Sequence, residues 1–429
     1  MSKRQCESLS STGLALAIAL SMSQSASSAT FQTAPRLDVI EWPNREFRTI
    51  QSVIDALPDG GTLRFAAGVV TTEPLFVRGK RIVIEGAGSG CDEQRQSGKP
   101  KQTVSTHLVG PRADTVVEFG AVRGLINYTN AGPGTPVGSG TIRNLRLSGS
   151  DAGISGAADA DAGAGGSVVA ESLCITHTGR GIAWAVGSNL SLKNVLIQDV
   201  FWNGVSISPS HALATASFIF FGGVTVINAA NACVFYKDVP AVVTNSLFNF
   251  CGASGTIVAL NSNLFISDTN IIGSRGPGVA MSGGSAFIQE TFINRATGFG
   301  LLLHNAVHGD IEDVHVKDTR AFITGPQAGL YGDGVTVVGG TANGMVWVTD
   351  SFIENGPHSG IANYGGFVTV GDSKLQCTVF DLQGDVLGTT NFSYTDLGGM
   401  TCGCPTANGT CEAVTASGLQ PPPPITQIQ

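Results

Sequence analysis

The chain has 429 residues and a formal net charge of −8 at pH 7, and only 13% of its residues are charged. The negative balance argues against nucleic acid and acidic membrane surfaces as main partners, because both require basic patches. Glycine accounts for 57 residues, about twice its typical share, and this excess predicts a fold with many tight turns.

The first thirty residues have the pattern of an export signal. Lys3 and Arg4 give a positive start, residues 13–22 form a short apolar run, and small residues lead to a predicted cleavage site near Ala29. The apolar run is too short to span a bilayer. We therefore predict that residues 1–29 are a signal peptide and that the protein is secreted, extracellular or at the cell surface, without excluding the periplasm. The alternative interpretation is a disordered apolar tail.

An amphipathic helix is predicted at about residues 49–57, where Ile50, Val53, Ile54 and Leu57 share one helical face. Pro58 and two glycines end this helix, and the next residues alternate like a strand. Such a helix is suited to cover the open apolar end of a solenoid.

A repeat of about 22–23 residues follows and fills most of the chain. Each unit holds an eight-residue segment, and in most of them the first, third and eighth positions are apolar and the fifth is Asn, Asp, Glu or Ser, as in LFISDTNI (264–271). The gap of 51 residues between the third positions at 192 and 243 predicts two coils, one of them too irregular to align. The gap of 37 before position 348 leaves room for a hidden coil. Third positions fall at residues 142, 170, 192, 243, 266, 288, 311, 348 and 370.

The physics of this unit defines the fold class. Alternating apolar residues form strands with one buried face, and Asn or Asp at the fifth position suits a sharp bend in the left-handed conformation. Three short strands in one unit cannot bury their inner faces alone, so successive units must stack. We expect insertions in loops, such as residues 151–166.

This pattern resembles the right-handed parallel β-helix of the pectate-lyase-like superfamily, from about residue 47 to residue 390. The resemblance implies an all-β solenoid domain over residues 30–390 and matches no specific enzyme family. Leucine-rich repeats are the alternative at this period. They need a leucine ladder and a helix in each unit, and this sequence has neither pattern. Residues 391–429 are predicted to form a Cys-containing C-terminal cap with a Pro-rich tail.

The most polar stretch is HNAVHGDIEDVHVKDTR (304–320), with three histidines and six charged side chains. On the repeat, Asp313 is the bend residue, and Ile311, Val314 and Val316 point inward. One interpretation is the solvent face of an ordinary coil, and the other is a functional site. The side chains predicted to point outward are Asp310, Glu312, His315 and Lys317.

The bend position changes character along the chain. It is Asn or Ser in the earlier units and then becomes acidic, so that stacking about 4.8 Å apart places five carboxylates in one row. Like charges at this spacing repel, and calcium takes oxygen ligands of this kind. We therefore predict Asp268, Glu290 and Asp313 as calcium ligands, the alternative being a solvated row of turn formers. The five acidic residues are Asp268, Glu290, Asp313, Asp350 and Asp372.

A second row holds aromatic side chains at the second position. Aromatic planes beside a carboxylate hold sugar rings by stacking, with hydrogen bonds at the ring edges. The alternative is ordinary packing beneath loop residues. The predicted substrate-binding residues are Phe265, Phe287, Trp347, His308, Lys317 and Arg320, with Asp310 in the same row.

Catalysis, if present, is predicted at Asp310, Glu312 and His315. Glycosidic cleavage needs two carboxylates roughly 5–9.5 Å apart, and Asp310 with Glu312 is a suitable pair. A lyase needs a base and a cation, for which His315, Lys317 and Arg320 are suitable. The NTD, DD, GHG and RIK motifs of polygalacturonases are missing from the sequence, as are the WIDH signature of pectate lyases and the DPHD signature of alginate epimerases. No catalytic residue is therefore transferred from the resemblance.

Eight cysteines remain after the predicted signal, an even number that favours disulfides in an oxidising compartment. CGCPTANGTC (402–411) is typical of a disulfide-stapled terminal knot, with a zinc site as the alternative. The sequence leaves the pairing open, and Cys174, Cys233 and Cys251 are equally compatible with buried free thiols.

Three functions remain open from the sequence. The first is an exported β-helix protein that binds a polysaccharide or another extended polymer along the flank at residues 265–358. The second is a polysaccharide lyase or glycoside hydrolase with its site at residues 304–320. The third is a structural or adhesive surface rod.

Overall fold

A computed structural model describes residues 39–88, 105–111, 124–132, 134–156, 167–185, 189–208, 218–323, 328–339, 345–404, 411–415 and 421–422. The predicted signal peptide and Cys91 lie outside these residues. Within the described part of the chain, no helix is long and apolar enough to cross a membrane.

The predicted cap helix is present as Ile50–Ala56. Thr49 begins it with a capping box, in which the Thr49 and Ser52 side chains bond each other's backbone N–H groups. Ile50, Val53 and Ile54 are buried on its inner face, as predicted. The helix also covers the edge strand Leu75–Arg78. Gln51 Nε2 donates to the Phe76 carbonyl, and Gln51 Oε1 accepts from the Phe76 N–H.

The strands stack in three columns, and each coil contributes one strand to each column. The first column begins each coil, and its strands pair in parallel through residues one coil apart. Its strands are Val39–Trp42, Thr62–Phe65, Arg81–Glu85, Ser139–Arg143, Val168–Glu171, Leu190–Lys193, Ile219–Gly222, Ala241–Thr244, Leu264–Ser267, Met345–Thr349, Phe367–Gly371 and Ser393–Asp396.

Two long strands, Ser285–Asn294 and His308–Lys317, run through both the first and the second column. Together the first two columns form a 25-stranded sheet among the described residues. The other second-column strands are Gly68–Thr71, Thr106–Val109, Leu145–Ser148, Cys174–Thr176, Leu196–Val200, Thr225–Ala229, Leu247–Asn249, Thr269–Ile272, Phe352–Glu354, Lys374–Gln376 and Thr401–Cys402.

The third column is a separate parallel sheet, with 13 strands among the described residues. The loop prediction for residues 151–166 is wrong at its start, because Ala152–Gly156 is one of these strands and pairs with both neighbours. The strands are Leu75–Arg78, Gly124–Thr129, Ala152–Gly156, Arg180–Trp184, Val205–Ile207, Ala232–Lys237, Gly255–Leu260, Val279–Ser282, Phe299–His304, Asp333–Val338, Ser359–Tyr364, Phe380–Asp385 and Ala413–Val414.

The apolar third positions of the repeat form one continuous internal stack, and the parallel β-helix prediction is confirmed. Neighbours in this stack pair directly in register, as Ile266 does with Ile288 and Ile288 with Ile311. All are at most 2% exposed: Ile142, Ala170, Leu192, Val243, Ile266, Ile288, Ile311, Val348 and Val370.

The predicted bends are also confirmed. Each fifth-position residue lies in the left-handed region, with φ between 43° for Asp372 and 57° for Asn144. The irregular coil is that of Ile219–Gly222, where Phe221 fills the stack and Gly223 (φ 67°) makes the bend. A glycine there explains why the sequence pattern missed this coil.

The suggestion of a hidden coil before residue 348 is wrong. Ile311 pairs directly with Val348, and Glu312 pairs with Thr349, so the two strands are neighbours. The additional residues come before and after the strand Asp333–Val338 in the chain. The acidic row is therefore continuous from Asp268 to Asp372.

Three disulfides join cysteines of the described residues: Cys233–Cys251, Cys377–Cys404 and Cys402–Cys411. The last two fasten the end of the solenoid, which confirms the prediction of a disulfide-stapled terminal knot. Strand pairing continues into this region through Ser393–Asp396, Thr401–Cys402 and Ala413–Val414.

Candidate functional site

The side chains of the strand His308–Lys317 point either into the solenoid or outward from it. Ile311, Val314 and Val316 are buried, at 0–2% exposure, as the repeat predicts. Asp310, Glu312, His315 and Lys317 point outward, and Glu312 is exposed. His304 is separated from them, because it ends the third-column strand Phe299–His304 and is buried there. Burial lowers the pKa of the His304 imidazole.

Aromatic rings follow one another on the outer surface of the first column. Phe265, Phe287, Asp310 and Trp347 are successive partners in register, which confirms their predicted alignment. The His308 ring lies 5.2 Å from the Phe287 ring and 4.8 Å from the Trp347 ring. These five residues form what we name the first-column face.

This surface continues past Trp347 with apolar side chains. His308 pairs with Met345, which pairs with Phe367, and the two apolar residues are 41% and 42% exposed. The rings of the first-column face are themselves only partly exposed. The result is an apolar surface along several coils, with Asp310 as its charged group.

A second group of rings lies beyond the bend, on the second column. The His315 ring stacks on the Phe352 ring with centroids 4.8 Å apart, and it forms an edge-to-face pair with the Phe292 ring, with centroids 5.1 Å apart. Glu354 Oε1 accepts from His315 Nε2 at 3.0 Å and pairs with Lys317 Nζ at 3.2 Å. We name Phe292, His315, Lys317, Phe352 and Glu354 the second-column face.

Glu354 is the residue of this site that the sequence did not reveal. It lies one coil above Lys317 in direct register, but 37 residues later in the chain. Its carboxylate joins the base and the cation predicted for this coil, and its side chain is only 18% exposed. The sequence could have revealed Glu354 only by aligning it with Lys317 on the next coil. That alignment requires knowing that no further coil lies between the two residues.

The acidic bends lie between the two faces. The pKa of Glu290 is raised above its ordinary value, first by a side-chain hydrogen bond with Asp268 and then by the negative charge of Asp268. Among the described residues, no three His, Cys, Asp or Glu side chains are grouped so that they could hold a metal ion. The calcium hypothesis for Asp268, Glu290 and Asp313 stays a prediction.

The remaining candidates have different surroundings. Asp310 and Glu312 are two positions apart on one strand and point to the same side, which separates their Cα atoms by about 7 Å. Arg320 lies in the turn after the strand, with an exposed side chain and its N–H bonded to the Ala296 carbonyl. The catalytic and binding roles of all these residues stay predictions.

Comparison with known proteins supports the architecture. A family model described as a right handed beta helix region matches residues 181–375. No curated protein sequence matches the chain. The chain is thus a right-handed parallel β-helix protein, as predicted.

Three solved structures are similar to this chain. A GH87 α-1,3-glucanase catalytic domain with bound tetrasaccharides is 14% identical, with a TM-score of 0.50 over 87% of this chain and 70% of that chain. The mannuronan C-5 epimerase AlgE6 A-module of Azotobacter vinelandii is 15% identical, with a TM-score of 0.44 over 83% and 94%. A GH87 α-1,3-glucanase from Streptomyces thermodiastaticus is 16% identical, with a TM-score of 0.42 over 84% and 67%. At these identities the likeness is one of fold.

Proposed function

We propose that this chain binds a polysaccharide, or a similar extended polymer, along its first-column and second-column faces. The observation that carries the proposal is the succession of the Phe287, His308 and Trp347 rings, each about 5 Å from the next. Rings repeated from coil to coil suit a ligand that is itself a repeat of rings.

The chemistry of both faces fits sugar units. Aromatic rings stack on the apolar side of a sugar, and polar groups at the ring edge bind its hydroxyls. Asp310 supplies a polar group within the first-column face, and Lys317 and Glu354 supply two in the second-column face. The similar α-1,3-glucanase domain, which holds tetrasaccharides, supports the choice of ligand class.

We also propose that the protein is exported to an oxidising compartment, as the predicted signal peptide indicates. Three disulfides in the described residues support this, because disulfides are rare in reducing compartments. A secreted, extracellular or cell-surface location follows from the proposal, with the periplasm as a further oxidising compartment.

The first prediction tests the ring succession. Replacing Trp347 or Phe287 by alanine should weaken polymer binding about two- to twelvefold, since each stacking ring contributes about 0.5–1.5 kcal/mol. Calorimetric titration with soluble α-1,3-gluco-oligosaccharides and mannuronate oligomers measures this effect.

The matched control is Phe201→Ala, which removes an exposed ring (62%) lying outside both faces. If W347A and F287A both bind the polymer with wild-type affinity, the proposal that these rings bind sugar units is wrong. If the wild-type protein binds none of the polymers, the structural or adhesive rod becomes the better proposal.

A polysaccharide lyase or glycoside hydrolase is the second candidate function, and one observation favours it. His315 is fixed between Phe292 and Phe352 and is bonded to Glu354 next to Lys317. A base held in place beside a cation is what proton abstraction needs. Asp310 and Glu312 offer the alternative pair of carboxylates for hydrolysis.

The second prediction separates this enzyme from a binding protein. If the protein cleaves a polysaccharide, the double variant D310A/H315A should lose at least about 100-fold in turnover, while its binding of the polymer should weaken far less because the stacking rings Phe287 and Trp347 remain. Product release from uronic-acid and neutral polysaccharides is followed by chromatography. Unchanged turnover would exclude these residues as the catalytic groups, and no turnover by the wild type would leave binding as the function.

A further inference from the structure

A second cluster of polar groups lies outside both faces, where the strands Asp333–Val338 and Ser359–Tyr364 begin. The Asp333 side chain is fully buried and accepts three hydrogen bonds. The donors are His358 Nδ1 at 2.5 Å, Thr336 Oγ1 at 2.8 Å and the Ser359 N–H at 3.1 Å. Both carboxylate oxygens are therefore engaged by donors.

This arrangement defines which nitrogen of His358 holds the hydrogen. Nδ1 faces Asp333 Oδ1, which accepts, so Nδ1 is the N–H. The Ser359 hydroxyl lies 3.0 Å from the same nitrogen but gives its own hydrogen to Gln383 Oε1 at 2.5 Å. The Ser359 hydroxyl can therefore only accept a hydrogen bond from Nδ1. This is a second reason for placing the hydrogen on Nδ1. In the neutral ring, Nε2 is then left with its lone pair.

The His358 ring is held firmly but is not enclosed. Its side chain is 18% exposed, and its ring forms an edge-to-face pair with the Phe380 ring, with centroids 5.6 Å apart. The preceding Pro357 packs against Gly332, which has φ +112° and no room for a side chain. Because its Nδ1 is fixed by a buried carboxylate, the ring also has a fixed direction for Nε2.

We propose that His358 Nε2 is a binding subsite for a hydroxyl group, with Asp333 as the positioning residue behind it. The nitrogen accepts a hydrogen bond from the hydroxyl. In its ligand class this inference rests on the proposed function, because sugar units supply such hydroxyls. The subsite lies four residues after Glu354, at the turn that leads from the second column to the third. It would lengthen the polymer-binding surface around that turn.

The geometry of the subsite is tested without any ligand. The protein labelled with ¹⁵N-histidine contains seven histidines, and H358Q identifies the signal of His358 by its loss. At pH 8 the neutral ring should be in the Nδ1–H form, and D333N should weaken or reverse this preference. A wild-type ring in the Nε2–H form would overturn the proposal, even if D333N fails to fold.

The ligand is tested by titrating the same sample with α-1,3-gluco-oligosaccharides and mannuronate oligomers. Binding should shift the His358 Nε2 resonance. H358F, which keeps a ring but removes the acceptor, should weaken binding at least threefold, and H358Q should lose less. Polymer binding that depends on Trp347 but leaves His358 and H358F unaffected would overturn this subsite and preserve the proposed function. If no polymer binds, both the proposed function and the ligand assigned to the subsite are overturned, while the tautomer result still decides the acceptor.

Discussion

Glu290 is an unusual bend residue, with a φ of 47° at a position where the neighbouring coils have aspartate. Its carboxyl group shares a hydrogen bond with Asp268, and this bond is the main reason that its pKa is raised. The charge of Asp268, burial, and the charges of Asp313 and Glu312 act in the same direction. The hydrogen bond with Asp268 and the neighbouring negative charges therefore favour the protonated form of Glu290 in the folded protein.

The third prediction concerns stability and pH. Because the pKa of Glu290 is higher in the folded than in the unfolded protein, the folded state binds the proton more tightly. The stability that this proton gives the folded state is fully present below the ordinary pKa of 4.5. It is lost as the pH rises through the pKa that Glu290 has in the folded protein. E290Q should therefore unfold at a higher temperature than the wild type at pH 7, with the difference shrinking towards pH 4.

Thermal unfolding followed by circular dichroism at both pH values measures this difference, with the exposed Glu73→Gln as the control. A lower unfolding temperature for E290Q at pH 7 would contradict the repulsion argument. A calcium-dependent rise in the wild type that E290Q lacks would support the calcium hypothesis instead.

At the scale of elements, one side chain caps the C-terminal end of the short helix Ile50–Ala56. The last carbonyls of a helix have no partners within it. Lys80 Nζ donates to the carbonyls of Ile54 at 2.6 Å, Asp55 at 3.0 Å and Leu57 at 2.8 Å. Burial lowers the pKa of Lys80, and the charges of Asp55 and Asp59 act in the opposite direction. The lysine thus joins the helix to the start of the strand Arg81–Glu85.

The fourth prediction is that K80M lowers the free energy of unfolding by about 1–3 kcal/mol, since hydrogen bonds from a charged group to the carbonyls are lost. Methionine keeps most of the apolar stem, so the change reports on these bonds. Urea unfolding measures the effect, with the exposed Lys193→Met as the control. Equal stability of K80M and the wild type would show that water replaces the lysine without cost.

At the scale of the whole molecule, one disulfide lies in the middle of the solenoid. Cys233 and Cys251 are both fully buried, and their Cα atoms are 5.3 Å apart. Cys233 lies on a third-column strand, and Cys251 follows a second-column strand of the next coil. The bond therefore joins two consecutive coils, in contrast to the two disulfides at the C-terminal end.

The fifth prediction is that the double variant C233A/C251A loses about 3 kcal/mol of stability, the amount expected for a closed loop of 18 residues. Denaturant unfolding measures the loss, and peptide mapping without reductant tests whether the bond is present in the wild type. Free thiols at both positions in the wild type would contradict the pairing.

The sequence could predict which side chains face inward, because an alternation of period two on each side of the bend at Asp313 places Ile311 before it and Val314 and Val316 after it on the inner face. It could not count the coils with certainty, since Gly223 replaces the usual bend residue and the segment between Lys317 and Asp333 is long. Contacts between coils depend on that count, which is why Glu354 was missed. Asp333 and His358 lie at the starts of third-column strands, beyond the eight-residue segments that defined the repeat.

The parallel stacking of the coils gives the binding surface a direction. All strands of a column run the same way, and the order from Phe265 to Trp347 differs when it is followed from the other end. A polysaccharide also has unlike reducing and non-reducing termini. A chain aligned with the solenoid axis would thus meet these side chains in a different order if it were reversed, and the protein should accept it in one polarity.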